Sequence, residues 1–142
     1  MKAEQQITTY ITSQDEPKRS DLQALHSLLL NIKPDLRLWF YDGKNSAGKT
    51  VTNPNCGYGF CNLHYANGET KEFYQIGISA TKTGISIYIL GKKDLSYLVK
   101  TFGKSIGKAS VTAYCIKLKD LNGIQMDVLN AALLYGLESP DA

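Results

Sequence analysis

The stretch from Gly103 to Gly136 constrains the fold of this chain more than any other, because three kinds of local signal follow one another there without a gap. A loop rich in lysine and glycine, Gly103-Lys104-Ser105-Ile106-Gly107-Lys108-Ala109-Ser110, leads into an alternating segment from Val111 to Leu118. Successive strand side chains point to opposite faces, so Val111, Ala113, Cys115 and Lys117 share one side and Thr112, Tyr114, Ile116 and Leu118 the other. Both sides are partly apolar, which suits a strand with a helix layer on one face and a half-covered surface on the other. Asn122-Gly123 reads as a turn. Gln125 to Tyr135 then sets Met126, Leu129, Ala132 and Leu133 at three- and four-residue spacing, with Gly136 as a C-terminal stop. The stretch predicts strand, turn, helix.

The rest of the chain supplies matching pieces. Ile7, Tyr10 and Ile11 lie at helical spacing and predict a short helix ending near Ser13 and Gln14. Pro17 fits a first helical turn, where its missing N–H has no partner to lose, and Ser20 with Gln23 offers a capping box. Leu22, Leu25, Leu28, Leu29 and Ile32 form one apolar stripe that stops before Pro34. Leu36, Leu38 and Phe40 alternate with Arg37, Trp39 and Tyr41, a strand that turns at Asp42-Gly43. Two longer strands, Tyr58 to Tyr65 and Glu72 to Ala80, are joined across Ala66-Asn67-Gly68-Glu69. Thr81 to Gly84 then turns the chain into Ile85 to Leu90. Asp94 is placed to cap a helix through Leu95, Leu98, Val99 and Phe102 that stops at Gly103. Strands enclosed by helices at both ends predict an α+β fold. It is a two-layer sandwich in which an antiparallel sheet of about five to six strands is covered by N-terminal and C-terminal helices.

A length of 142 residues suits one domain, expected to span 1–142. With 43% hydrophobic and 20% charged residues the chain has an ordinary globular composition, and no apolar run approaches the ~20 residues of a membrane-spanning helix. The opening residues carry no apolar core of a signal peptide, and three cysteines are an odd number for a disulfide framework, so a reducing cytoplasm is expected.

The Pro17 helix with Asp21-Leu22 and Leu25, Pro34-Asp35 before an aromatic strand, and Ile106-Gly107-Lys108-Ala109-Ser110 through Ile116-Lys117, Leu121 and Asp127-Val128-Leu129 resemble the YdhG-like family, a bacterial family known as domain of unknown function 1801. Some of its members are described as frataxin-like iron chaperones. The resemblance implies a helix-covered antiparallel sheet and an iron chaperone as the alternative function. It carries over no site residue.

Gly43-Lys44-Asn45-Ser46-Ala47-Gly48-Lys49-Thr50 satisfies the phosphate-loop pattern at every position. That chemistry needs the loop to open a helix whose backbone N–H groups converge on phosphate. Here Val51, Thr52, Pro54 and Gly57 oppose a helix, so the reading is a glycine-rich hairpin tip. Cys56, Cys61, His64 and Cys115 lack paired zinc spacing, and Cys61 and His64 fall on opposite faces of a regular strand. Cys115 reads as a small core side chain and His26 as a boundary residue of the helix stripe. Iron favours clustered carboxylates, but Asp15, Glu16 and Asp21 are interrupted by Pro17, Lys18 and Arg19 and read as a solvated helix start. No catalytic constellation and no cofactor or metal site is expected.

Charge is the clearest functional signal. The chain carries a formal +3, and between Lys92 and Lys119 seven lysines stand against Asp94 alone. The candidate ligand-binding set is Lys104, Ser105, Lys108 and Ser110, with Trp39 and Tyr114 as aromatic walls. Lysine ammonium groups and loop N–H groups in such a rim would hold an anion. Trp39, Tyr41, Tyr58, Tyr65, Tyr74 and Tyr88 read as pocket walls or as core and cross-strand rings. The expected partner is a small anionic molecule or a protein, with homo-oligomers left open. A membrane is not expected, and with only two arginines and no reading motif nucleic acid is disfavoured. The function expected is that of a cytoplasmic binding or accessory protein.

Overall fold

The computed structural model describes residues 2–138. Helices α1 (Ala3–Thr12) and α2 (Lys18–Ile32) come first. Six strands follow: β1 (Leu38–Tyr41), β2 (Asn55–Tyr58), β3 (Cys61–His64), β4 (Thr70–Phe73), β5 (Ile76–Ala80) and β6 (Ile85–Ile89). After α3 (Tyr97–Phe102) come β7 (Ala109–Val111), β8 (Cys115–Leu118), a single 3-10 turn (Leu121–Gly123) and α4 (Met126–Leu137). The fold is α+β: a six-stranded antiparallel sheet, ordered β1-β2-β5-β6-β8-β7, packs against the N- and C-terminal helices, and β3-β4 form a separate hairpin.

One face of the sheet meets the helices. Cys56, Tyr58, Ile76, Ile78, Ile85, Ile87, Ile89, Ile116 and Leu118 project there and join Ile7, Ile11, Leu22, Leu25, Leu29, Leu129, Ala132 and Leu133 in one buried cluster. Burying each such aliphatic side chain is worth about 1.5–3 kcal/mol, and Leu25→Ala would forfeit about 2–5 kcal/mol. Polar contacts also tie the layers. The Ala80 amide donates to the Tyr10 hydroxyl at 2.8 Å, and the Leu121 amide donates to the Asp21 carboxylate at 3.0 Å. By strand alternation the opposite face carries Trp39, Asn55, Gly57, Gly77, Ser79, Ser86, Tyr88, Cys115 and Lys117.

Several local expectations are corrected. The two long strands are each broken: β2 and β5 pair inside the main sheet, whereas β3 and β4 leave it as their own hairpin. The break lies at Gly59, whose φ of +87° takes the chain out of the extended region, and at Tyr74-Gln75. The Gln75 carbonyl oxygen of the side chain accepts the Phe60 amide at 3.3 Å, closing the gap.

The Val111 to Leu118 segment is likewise two strands. The Thr112 amide donates to the Cys115 carbonyl at 2.8 Å and closes a tight turn, so Val111 pairs with Ile116 and packs with it on the helix side, not with Cys115. The Ser20–Gln23 capping box is replaced by Glu16, whose carboxylate accepts both the Ser20 amide (2.8 Å) and hydroxyl (2.7 Å). Asp94 accepts the amide and hydroxyl of Ser96, but α3 starts only at Tyr97, and Leu95 and Val99 stay exposed. Gly136 does not stop α4. It lies inside the helix, where a Cβ would come within 2.8 Å of Ile76, so its role is close helix-to-sheet packing; Met126, expected in the stripe, is exposed.

Candidate functional site

The β7-β8 hairpin sets the charges. Ala109 pairs with Leu118 and both face the helices, so Ser110 and Lys117, paired one step along, face the other way. Directly opposed Cα atoms lie roughly 5 Å apart, so Lys117 and Ser110 are neighbours. Beyond the ladder the chain turns at Lys108 toward Gly123, and Lys108 and Lys119 line the same groove. Like charges placed this way repel. Among the described residues none of the three lysines is in an ion pair.

Neighbouring elements complete this groove of about 710 Å³. β6 lies next to β8 and contributes Ser86, directly opposite Lys117, and Tyr88. The β5–β6 turn supplies Thr81 and Thr83, and the β1–β2 loop supplies Asn53. That turn is held from three sides. The Thr81 amide donates to the Gly84 carbonyl at 2.8 Å, the Gly84 amide to the Thr81 hydroxyl at 3.1 Å, and the Lys18 ammonium from α2 to the Thr81 carbonyl at 2.6 Å. On the opposite wall the Lys108 amide donates to the Gly123 carbonyl at 2.9 Å, pinning the lysine at the start of β7. The lining contains ammonium, hydroxyl and amide groups and no carboxylate. Such a surface attracts an anion and repels a cation.

The six expected site residues do not converge. Lys108 and Ser110 line the groove. Lys104 lines a separate cleft of about 450 Å³ with Val99, Lys100, Gly103 and Val111. The Ser105 hydroxyl is spent on the Phe102 carbonyl at 3.5 Å. Trp39 is on β1, four strands from β8 and so roughly 19 Å away; its indole N–H donates to the Gly59 carbonyl at 2.7 Å and the Arg37 guanidinium lies over its ring at 4.1 Å. Tyr114 sits exposed in the β7–β8 turn. Lys117, Lys119, Ser86, Tyr88 and Thr81 were not in the expected set. For Lys117 and Lys119 the signal was their alternation with Leu118; for the others it was long-range pairing, which no local pattern encodes.

The remaining aromatic rings serve three other surroundings. Tyr58 is fully buried under α2, its hydroxyl 2.7 Å from His26 Nδ1, and burial holds the His26 pKa below its ordinary value. Tyr74 lies flat over Gly57 and Gly77, with the Phe73 ring 4.1 Å from it. Tyr65 is exposed at the hairpin end and Tyr41 at the end of β1.

The phosphate-loop match is a hairpin tip. Lys44 bridges Thr50, the Asn45 side chain accepts the Ala47 and Lys49 amides at 3.0 Å each, and the Gly48 amide donates to the Asn45 carbonyl at 2.9 Å. The Ala47, Gly48 and Lys49 amides, which a phosphate would need, are already engaged. Cys56 faces the helices, Cys115 the opposite side and Cys61 lies in the hairpin, so with His64 they do not assemble; among the described residues no three His, Cys, Asp or Glu side chains group as metal ligands. Burial pushes the Cys56 thiol up to about 12. Glu16 serves Ser20 and Arg19, and Asp21 serves Leu121. Among the described residues no helix is long and apolar enough to cross a membrane.

No protein-family model, no curated protein and no solved structure matches the chain.

Proposed function

We propose that this protein is a cytoplasmic binding protein of the YdhG-like kind that holds a small anionic ligand in the groove between the β7-β8 hairpin and the β5–β6 turn. The observation that carries this reading is the gathering of Lys108, Lys117 and Lys119 in one groove whose lining holds no carboxylate. Their mutual repulsion is a cost that a bound anion removes, so ligand binding and fold stability are linked. The groove offers hydroxyls but no base: His26 is engaged with Tyr58 on the helix side and His64 lies in the β3-β4 hairpin. That supports recognition over turnover. The iron-chaperone alternative would draw on carboxylates, and those of Glu16 and Asp21 already have partners within the fold.

Thermal unfolding in increasing pyrophosphate at fixed ionic strength tests the reading. Ligand at a hundredfold excess over its Kd stabilises by about 2.7 kcal/mol, and the double variant Lys117→Glu, Lys119→Glu should lose that stabilisation. An equal shift in the variant, or an equal shift from chloride at the same ionic strength, would reject the site.

A further inference from the structure

The groove is graded along the strands. Tyr88 stands in the row of Cys115, Ser86 in the row of Lys117 and Ser110, and Lys119 and Lys108 line the groove beyond the end of the ladder. Four residues separate Cys115 from Lys119, so the aromatic end and the outermost ammonium pair are roughly 13 Å apart, with Lys117 midway. One end of the groove is a half-buried phenol ring and the other carries Lys108 and Lys119 with the hydroxyls of Thr81 and Thr83. The ring is not required by the helix-facing core, which β6 fills with Ile85, Ile87 and Ile89. Its neighbour on β5 is Gly77, over which Tyr74 lies flat, so Tyr88 borders an aromatic floor on one side and the lysines on the other.

Resting on the anion reading above, we propose that the ligand is a planar aromatic ring carrying a phosphate or pyrophosphate chain. The ring stacks on Tyr88 and the phosphates run past Lys117 and Ser110 toward Lys108 and Lys119. Stacking tolerates any flat ring, because every such ring presents a π-face, so the site selects for the class and not for one base. The phosphate-loop pattern at the hairpin tip takes no part in it.

Titration calorimetry of the full chain with adenosine diphosphate, ribose 5-phosphate and pyrophosphate at one ionic strength tests the proposal. Adenosine diphosphate should bind roughly tenfold or more tightly than pyrophosphate, the gain expected from one stacked ring. Tyr88→Leu should bring the two within about twofold by weakening adenosine diphosphate. In the unaltered protein, transferred nuclear Overhauser contacts between the adenine protons and the Tyr88 ring should be visible, a readout that does not depend on the variant folding. Equal affinity for adenosine diphosphate and pyrophosphate would overturn the aromatic end and leave the anion site standing. Absence of heat with all three would remove the anion site and this proposal with it. A preference for adenosine diphosphate that survives Tyr88→Leu would place the ring elsewhere and overturn the assignment.

Discussion

Gly77 should not tolerate even one methyl group while Tyr74 keeps its ring. A Cβ at Gly77 would lie 2.6 Å from Tyr74 Cε1, 2.8 Å from Cζ and 2.9 Å from the hydroxyl oxygen, against an ordinary separation of roughly 3.5–4.0 Å. The ring cannot retreat outward, because Phe73 lies 4.1 Å from it and Trp39 meets Phe73 edge-on at 6.0 Å. Gly77→Ala should therefore cost about 2–3 kcal/mol, the upper part of the range for an overfilled site. For a chain of this length that lowers Tm by roughly 7–10 °C. Tyr74→Leu trims Cε1, Cζ and the hydroxyl while keeping the branch nearer the backbone. In that background Gly77→Ala should become neutral or gain about 0.5 kcal/mol, since glycine is a poor strand residue. Gly57→Ala should stay costly in both backgrounds, because its Cβ meets the inner ring atoms at 2.4 Å and Trp39 Cβ at 2.9 Å. Urea unfolding of the four chains gives the coupling energy directly. A Gly77→Ala cost that is the same within about 0.5 kcal/mol with and without the ring would refute the packing argument.

Tyr58→Phe should destabilise by about 1–2 kcal/mol by removing the hydroxyl that pairs with His26, measured by urea titration at neutral pH. Asp21→Ala should cost about 1–2 kcal/mol by leaving the Leu121 amide unpartnered, and exchange of that amide with deuterium should accelerate. Alkaline pH should weaken the fold. The Cys56 pKa rises from 9.0 to about 12 on folding, so between those values the unfolded chain has lost a proton that the folded chain keeps. Stability is then full below pH 9 and falls as pH rises, by up to about 1.4 kcal/mol per pH unit for this one proton, and Cys56→Ala should flatten the slope by that amount. All three thiols, being buried, should resist a disulfide exchange reagent until the chain unfolds.

The layer order was legible because it rests on local periodicity. Leu22, Leu25 and Leu29 mark α2 by spacing alone, and Ile85 and Ile87 mark β6 by alternation. What periodicity cannot show is a break that preserves it. The expected strand Tyr58 to Tyr65 holds β3 and only the last residue of β2, whose Asn55-Cys56-Gly57 carried no strand pattern, and the positive φ at Gly59 separates the two. The Thr112–Tyr114 turn contains no glycine or proline and is closed by backbone and hydroxyl bonds to Cys115, so it carried no punctuation. The site follows the same logic. Lys108 and Ser110 stood out as local charge and hydroxyl, whereas Ser86, Tyr88 and Thr81 reach them only through the β6–β8 pairing, a contact across some thirty residues of chain. Trp39 lies apart from the groove because strand order puts β1 at the opposite edge of the sheet.

The hairpin tip at Gly43 to Thr50 shows why a short pattern can mislead. Both Gly43 and Gly48 adopt left-handed backbone, at φ of +81° and +79°, and the lysine and threonine that follow sit where the chain rejoins its own start. A compact reversal of direction and a phosphate cradle thus ask for glycine at the same two places, for the same steric reason. Any scan that scores only the letters will count turns of this shape among its nucleotide sites, and what separates them is whether the next residues coil.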